Sequence, residues 1–324
     1  MSSDDPLSRD VEAATDGAAV LDVLTRYFAV APLVYGHGTD NAGDEAAWLF
    51  ATVAGVDYAH ADWMVRFESA LAGPATDLDT ERLTVLARQR VATRQPLAYL
   101  LGEAWFAGLR FEVTPDVLVP RSPIAELIAA RFTPWVTPSA VHRVLEIGTG
   151  SGCIAIATAL ALPDASVDAS DVSQAALAVA RRNAARHDVG TRVRLIESDL
   201  FASASLNRYD LIVSNPPYVD AGDMASRPAE FRHEPELGLA AGDDGLSIVR
   251  RLLAEAASHL EPGGVLICEV GNSAESLQRE YATVPFTWLA FEHGGHGVFA
   301  VTRQQLKEHA PAIAAAVDCG LENT

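Results

Sequence analysis

The residues of this chain best suited to chemistry are Asn215-Pro216-Pro217-Tyr218. They follow Leu211-Ile212-Val213, an apolar run that reads as a buried strand. Two prolines in succession cannot continue a strand, because they lack the N–H donor and fix φ. The chain must therefore leave the sheet at Asn215 in a stiff shape. It presents an amide side chain, carbonyls without neighbouring N–H groups and an aromatic face at the C-terminal edge of a strand, where open α/β sheets bind ligands. The side-chain oxygen of Asn215 and the carbonyl of Pro216 can each accept one N–H of a planar NH2 group, with Tyr218 stacked on its plane. The lone pair of such a nitrogen is delocalised. Acceptors set for a tetrahedral nitrogen favour localising it as a new bond forms, which stabilises the transition state alone. Without chemistry, the same residues are a proline-stiffened strand end.

A second cluster, Glu146-Ile147-Gly148-Thr149-Gly150-Ser151-Gly152, lies between a strand and a helix. Glycines there let the backbone approach a ligand closely, and the free N–H groups of the helix start present positive potential. The dinucleotide fingerprint needs G-x-G-x-x-G. Here the third glycine comes one place early and Cys153 holds its position. The pattern suits a smaller ligand without pyrophosphate, S-adenosylmethionine. Asp171 ends the next strand, where a carboxylate can accept both ribose hydroxyls; the competing role is a cap for the helix near Ser173. Asp199-Leu200 ends the third strand, where an adenine can rest, and the Asn215 corner ends the fourth. These strand ends agree on one ligand.

Alternating strands and helices must position these groups. The pattern predicts strands at 143–147, 166–170, 193–196, 210–214 and 264–270, and helices at 153–162, 174–187, 246–260 and 273–282. Residues 284–291 and 297–302 read as a final antiparallel pair, and 304–324 as a helix with a loose tail. The fold class is α/β, a mostly parallel doubly wound sheet. Ahead of it, helices are predicted at 10–30, from Asp44 as cap, at 61–71 and at 80–95, ended by Pro96. The arginines Arg82, Arg88, Arg90 and Arg94 read as a solvated face, and His37 as a polar loop residue. Trp105–Val113 alternates around Gly108, a β-hairpin. The domains are then a helical domain 1–103 for substrate recognition, a hairpin linker 104–120, a catalytic domain 121–303 and a tail 304–324. A helix opens at Ser122-Pro123. Arg121 either reaches a site or pairs with Glu126, and the sequence leaves both open. Residues 219–244 lack periodicity, and a loop of that length is usually functional. It reads as a lid or substrate-gripping loop with His233 and Glu234 as candidates, or as a surface ion-pair cluster.

Composition narrows the partners. The net charge of −19 argues against a stable nucleic-acid complex and suits a basic protein or a small molecule. Cys153, Cys268 and Cys319 form no metal-ligand spacing, so no metal is expected and a reducing cytoplasm is the simplest setting. Cys153 and Cys268 read as core thiols. Met1–Asp10 lacks a signal pattern, and no apolar run is long enough for a membrane.

Taken together, Asn215-Pro216-Pro217-Tyr218 and Glu146–Gly152 resemble the HemK-type protein glutamine methyltransferases, and the resemblance covers nearly the whole chain. It implies transfer of a methyl group from S-adenosylmethionine to a glutamine side-chain amide in a translation protein. It also implies a helical N-terminal domain, a hairpin and a seven-stranded, Rossmann-like class I methyltransferase sheet with its last strand antiparallel. Release-factor methyltransferases carry Arg-Pro-Asp-Thr-Glu after the hairpin, where this chain has Arg121-Ser122-Pro123-Ile124-Ala125-Glu126. With Tyr35–Asn41, Arg232–Leu237 and Cys268–Ser273, the chain looks like the PrmB branch, whose substrate is large-subunit ribosomal protein L-three. In the family, the counterparts of Gly148–Gly152, Asp171, Leu200 and Asn215 contact the cofactor and the Asn-Pro-Pro-Tyr holds the glutamine. An adenine-amine DNA methyltransferase uses the same corner on a flipped base, but the basic target-recognition region it needs is not visible. A non-catalytic relative is disfavoured by the intact Asn215 and Asp171.

Overall fold

The computed structural model describes residues 5–203 and 207–321. The chain divides into two compact units. One comprises the residues up to Arg110 together with Pro228–His233; the other comprises Phe111–Arg227 and the chain from Glu234 onward.

The first unit is helical. Its main helices span Pro6–Glu12, Gly17–Val30, Ala42–Val53, Trp63–Ala72, Thr80–Thr93 and Leu97–Leu101. The single helix expected over 10–30 is broken because Asp16 starts a new one, its side chain accepting the Ala19 N–H at 2.9 Å. Asn41, rather than Asp44, caps the helix at Ala42: its side chain accepts from Asp44 N at 3.0 Å. Val20, Leu24, Phe28, Leu49, Phe50 and Leu83 form the buried core. Arg82 is exposed as a solvated face requires, but Arg90 and Arg94 depart from that expectation. Arg90 is 1% exposed, paired with Glu45 and Glu230. Arg94 holds both oxygens of Glu230 at 2.6 and 2.9 Å. His37 is also buried, its ring 4.3 Å from that of Phe231.

Strands β1 (Glu103–Phe106) and β2 (Leu109–Glu112) form the expected hairpin. Ala107 and Gly108 both have positive φ, 49° and 75°, the twist that a two-residue hairpin turn requires.

The second unit is built on a seven-stranded sheet. Its strands are β3 (Arg143–Ile147), β4 (Ser166–Asp171), β5 (Val193–Glu197), β6 (Tyr209–Ser214), β7 (Leu260–Glu269), β8 (Thr287–Trp288) and β9 (Val298–Thr302). The order is β5-β4-β3-β6-β7-β9-β8, with β3 to β7 parallel and β9 antiparallel to both neighbours. The fold expected from the alternating pattern is the one observed. Continuous apolar runs such as Leu211-Ile212-Val213 are wholly buried because helices cover both faces of a parallel sheet. The helix after Ser122-Pro123 runs from Ile124 to Ala129, with Pro123 at the cap. The C-terminal segment forms two helices, Arg303–Glu308 and Ala310–Leu321. Cys153 and Cys268 are buried and free; the Cys319 side chain lies outside the described residues.

The stretch 219–244 is more ordered than its sequence suggests. It contains helix Ala221–Ser226 and short 3-10 turns at Glu230–His233 and Glu236–Gly238, and Val219 bridges to Ala240.

Candidate active site

Successive strands turn away from β3 in opposite directions, β4 on one side and β6 on the other. A crevice opens there beyond the carboxyl ends of the strands. Register aligns its walls. Ile147 pairs with Ser170 on β4 and with Ser214 on β6, so Gly148, Asp171 and Asn215 leave the sheet at one level. Side chains fix this alignment: Ser214 Oγ donates to the Ile147 carbonyl at 2.8 Å, and Ser170 Oγ to that of Glu146 at 3.1 Å. The crevice holds a cavity of ≈ 320 Å³, lined among others by Gly148, Gly150, Asp171, Leu200, Asn215 and Pro216. That volume falls in the range of small-molecule sites, roughly 300–1,000 Å³.

The turn after β3 needs its glycines. Gly148, Gly150 and Gly152 have φ of 74°, 53° and 81°, a region that side chains disfavour. The Ser170 carbonyl accepts from both Gly148 N and Thr149 N at 2.9 Å. A Cβ on Gly150 would project into open space, whereas one on Gly152 would crowd Ala180 and Ile156 at 3.1 Å. The first glycine pair thus leaves room for a ligand, and the third packs the helix onto its neighbour. Thr149 and Ser151 are buried within the turn. Glu146 lies beneath it, 1% exposed, accepting from Thr149 Oγ1 and from Ala155 N at 2.9 Å. Burial pushes its carboxyl up to about 8, against the pull of those two donors.

Asp171 binds the turn from the side. One carboxylate oxygen accepts Gly150 N and the other Ser173 N, both at 2.8 Å. It is not the helix cap; Ser173 is, its hydroxyl accepting Ala176 N at 3.1 Å. Burial raises the Asp171 carboxyl above its ordinary value. A carboxylate has about four lone-pair sites, so acceptor capacity remains for two hydroxyls. Asp199 lines the cavity and pairs with Arg251 at 2.7 Å. Leu200, 7% exposed with φ of 49°, offers an apolar surface beside it. Room above the glycines, a diol acceptor and an apolar wall suit a nucleoside.

At the Asn-Pro-Pro-Tyr corner, Asn215, Pro216 and Pro217 line the cavity, and Tyr218 is not among its lining residues. Tyr218 is held instead at the end of β7. Its hydroxyl donates to Glu269 Oε1 at 3.1 Å, and its carbonyl accepts from Ser273 Oγ at 2.9 Å. Its ring packs on Gly271 so closely that a Cβ there would overlap ring atoms.

Of the candidates in the long loop, Glu234 is 3% exposed, so the surface ion-pair reading fails for it. Arg121 grips both its oxygens, at 2.6 and 2.7 Å, and Val119 N donates to Oε1 at 3.2 Å. Arg121 therefore does not pair with Glu126, which accepts the N–H groups of Glu292 and His293 at 2.9 Å. Both Arg121 and its segment Pro115–Ser122 line the cavity. His233 belongs to the helical unit, with Nε2 2.9 Å from the Thr93 carbonyl. Sequence reasoning missed Glu269 and Glu230. Glu269 carried a usable signal, a carboxylate that ends a strand, as Asp171 does. Among the described residues no group of three or more His, Cys, Asp or Glu is placed to hold a metal ion.

A family model described as methyltransferase small domain matches residues 129–230. A curated relative from Xylella fastidiosa (strain 9a5c), ribosomal protein uL3 glutamine methyltransferase, is 46% identical over 309 residues, 94% of this chain and 96% of its own. The chain belongs to the ribosomal protein uL3 glutamine methyltransferase family. A relative of the same name from Francisella tularensis is 42% identical over 281 residues, 86% of this chain and 87% of its own. Among solved structures, the T. thermophilus 16S rRNA N2 G1207 methyltransferase in complex with AdoMet and guanosine is 20% identical. It covers 62% of this chain and 49% of that chain at a TM-score of 0.45. Membership of the uL3 glutamine methyltransferases agrees with the resemblance carried by Asn215–Tyr218 and Glu146–Gly152. S-adenosylmethionine is the methyl donor that this membership implies.

Proposed function

We propose that this chain methylates the side-chain amide nitrogen of a glutamine in large-subunit ribosomal protein uL3. The supporting observation is that Asn215 and Gly148 leave adjacent strands at one level and line one cavity, in a chain 46% identical to a relative of that name. When bound, the sulfonium of S-adenosylmethionine supplies an electrophilic methyl carbon. The glycine turn Gly148–Gly152 and Asp171 hold the donor, with Asp171 on the ribose hydroxyls and Asp199-Leu200 at the adenine. Asn215 Oδ1 and the Pro216 carbonyl accept the two amide N–H bonds, and Tyr218 borders the amide plane. In that grip the amide lone pair would face the methyl carbon of a bound donor, and the alkylated nitrogen would pass one proton to water. Alignment of this kind is worth several kcal/mol without a strong base.

The helical unit, together with Arg121, His233 and Glu234, serves substrate recognition in this reading. The −19 charge suits a strongly basic, free ribosomal protein better than an RNA-covered particle, so methylation occurs in the cytoplasm before or early in assembly. Labelled-methyl transfer into total ribosomal proteins, with Asn215→Ala as control, tests the activity. Label in a single large-subunit protein, lost in the variant, is the supporting result; label elsewhere, or equal label with Asn215→Ala, overturns it. Faster turnover on mature large subunits than on the free protein overturns the assembly-stage part alone.

A further inference from the structure

Tyr218 is the one member of the corner that does not line the cavity, so something else must decide where it stands. Three restraints converge on it. Its carbonyl accepts from Ser273 Oγ at 2.9 Å, its ring lies on Gly271, and its hydroxyl donates to Glu269 Oε1 at 3.1 Å. The Gly271 restraint is itself backed up: a Cβ on Gly297 would overlap the Gly271 backbone, so two glycine backbones stack behind the ring.

Glu269 is the only ionisable one of these partners. It is the last residue of β7, 5% exposed. Its other oxygen, Oε2, accepts from Ser122 Oγ at 2.5 Å, and Ser122 Oγ accepts in turn from Ile124 N at 3.2 Å. Ser122 lines the cavity. The carboxylate thus bridges the corner after β6 and the segment that follows Arg121, through two hydroxyl donors. A buried carboxylate is costly unless its donors are in place, and a purely structural bridge between two hydroxyls does not need a charge. An acceptor-only group does one thing that a neutral one cannot: it forces both hydroxyls to act as donors, so the tyrosine proton points away from the corner.

We propose that Glu269 is a positioning residue for methyl transfer, acting through the Tyr218 hydroxyl to hold the ring beside the glutamine amide. This rests on the reading of Asn215–Tyr218 as an amide clamp. Ser122 acts as the second donor that keeps the carboxylate oriented, and Gly271 as the floor under the ring.

The test uses the full chain with a glutamine-containing uL3 substrate and five variants: Glu269→Gln, Tyr218→Phe, their double mutant, Glu269→Asp and Asn215→Ala. Donor affinity is measured separately by calorimetry. Glu269→Gln keeps the size and one acceptor, so it folds where a truncation would not. We expect kcat to fall roughly ten- to a hundredfold in Glu269→Gln and Tyr218→Phe, the worth of one charge-assisted hydrogen bond. Donor affinity should stay within about threefold, and the double mutant should be no worse than the poorer single. Glu269→Asp, which keeps the charge, should recover part of kcat. Wild-type kcat in Glu269→Gln beside an inactive Asn215→Ala would overturn this inference and leave the clamp standing. An active Asn215→Ala would overturn the clamp itself. Additive losses in the double mutant would show that Glu269 does not act through Tyr218, which also overturns the proposal.

Discussion

The Ser214 hydroxyl donates to the Ile147 carbonyl at 2.8 Å. It thereby locks together the last residues of the two strands whose next residues are Asn215 and Gly148. Both residues of that bond are buried, so its loss cannot be made good by water. Ser214→Ala should leave the Ile147 carbonyl short of a partner at a cost of about 1–3 kcal/mol. Because that bond ties the Asn215 and Gly148 strand ends together, turnover should fall further than stability alone explains. Urea denaturation beside steady-state kinetics separates the two effects.

Asp171 links the glycine turn to the proposed ribose site by accepting Gly150 N and Ser173 N. Asp171→Asn retains one acceptor oxygen and adds a donor where Gly150 or Ser173 already donates. Donor affinity should weaken roughly ten- to a hundredfold, following the worth of hydrogen bonds to a charged group. Calorimetric titration with S-adenosylmethionine checks this. An unchanged affinity would remove Asp171 from the cofactor site.

Glu146 gives the free protein a pH dependence of definite sign. Burial raises its carboxyl from 4.5 to about 8. A raised folded-state value means stability that is fully present below pH 4.5 and lost as pH rises through about 8. Glu146→Gln removes the ionisation while keeping an acceptor for Thr149 and Ala155. Between pH 5 and 8.5 the wild type should lose stability on the order of a few kcal/mol relative to this variant. Urea midpoints at the two pH values provide the measurement.

Glu230 behaves in the opposite sense within the helical unit. Its burial opposes the charge, but Arg94, the Val34 N–H and the surrounding donors outweigh it, and its carboxyl lies below the ordinary value. The stability it contributes is present above about pH 4.5 and is lost as pH falls through its lowered value. Glu230→Ala leaves the buried Arg90 and the neighbouring Arg94 short of a counter-charge, and should destabilise the unit by about 3–5 kcal/mol. Thermal unfolding checks the magnitude, and hydrogen exchange at 228–233 should rise with it.

Arg121 and Glu234 fix the segment 115–122 in the cavity wall. Arg121→Lys keeps the charge but loses the fork that grips both oxygens. It should increase proteolytic cleavage between residues 115 and 122 and raise the KM for donor several-fold with little change in global unfolding.

The chemistry of this protein was legible wherever local backbone constraints and chemical type coincide. Asn215-Pro216-Pro217 had to leave the sheet because proline cannot donate, and Gly148 and Gly150 had to be glycine because their φ is positive. Alternating strand and helix patterns placed β3 to β7 along the chain, whereas their order, with β4 and β6 on either side of β3, came only from the fold. These features pointed to residues that line one crevice, and they pointed to the family, from sequence alone. Long-range pairing was out of reach. Arg90 and Arg94 looked like a solvated face, and only the fold showed that Glu230, 140 and 136 residues away, meets them. Arg121 had Glu126 as a partner close in sequence, yet its partner is Glu234, 113 residues on. Tyr218 belongs to the corner by sequence, while its position is set by Glu269, Gly271 and Ser273 from the end of another strand. Charge and hydrogen-bond partners are chosen by proximity in space, and local pattern carries no record of which distant groups the packing of the sheet and helices will bring together.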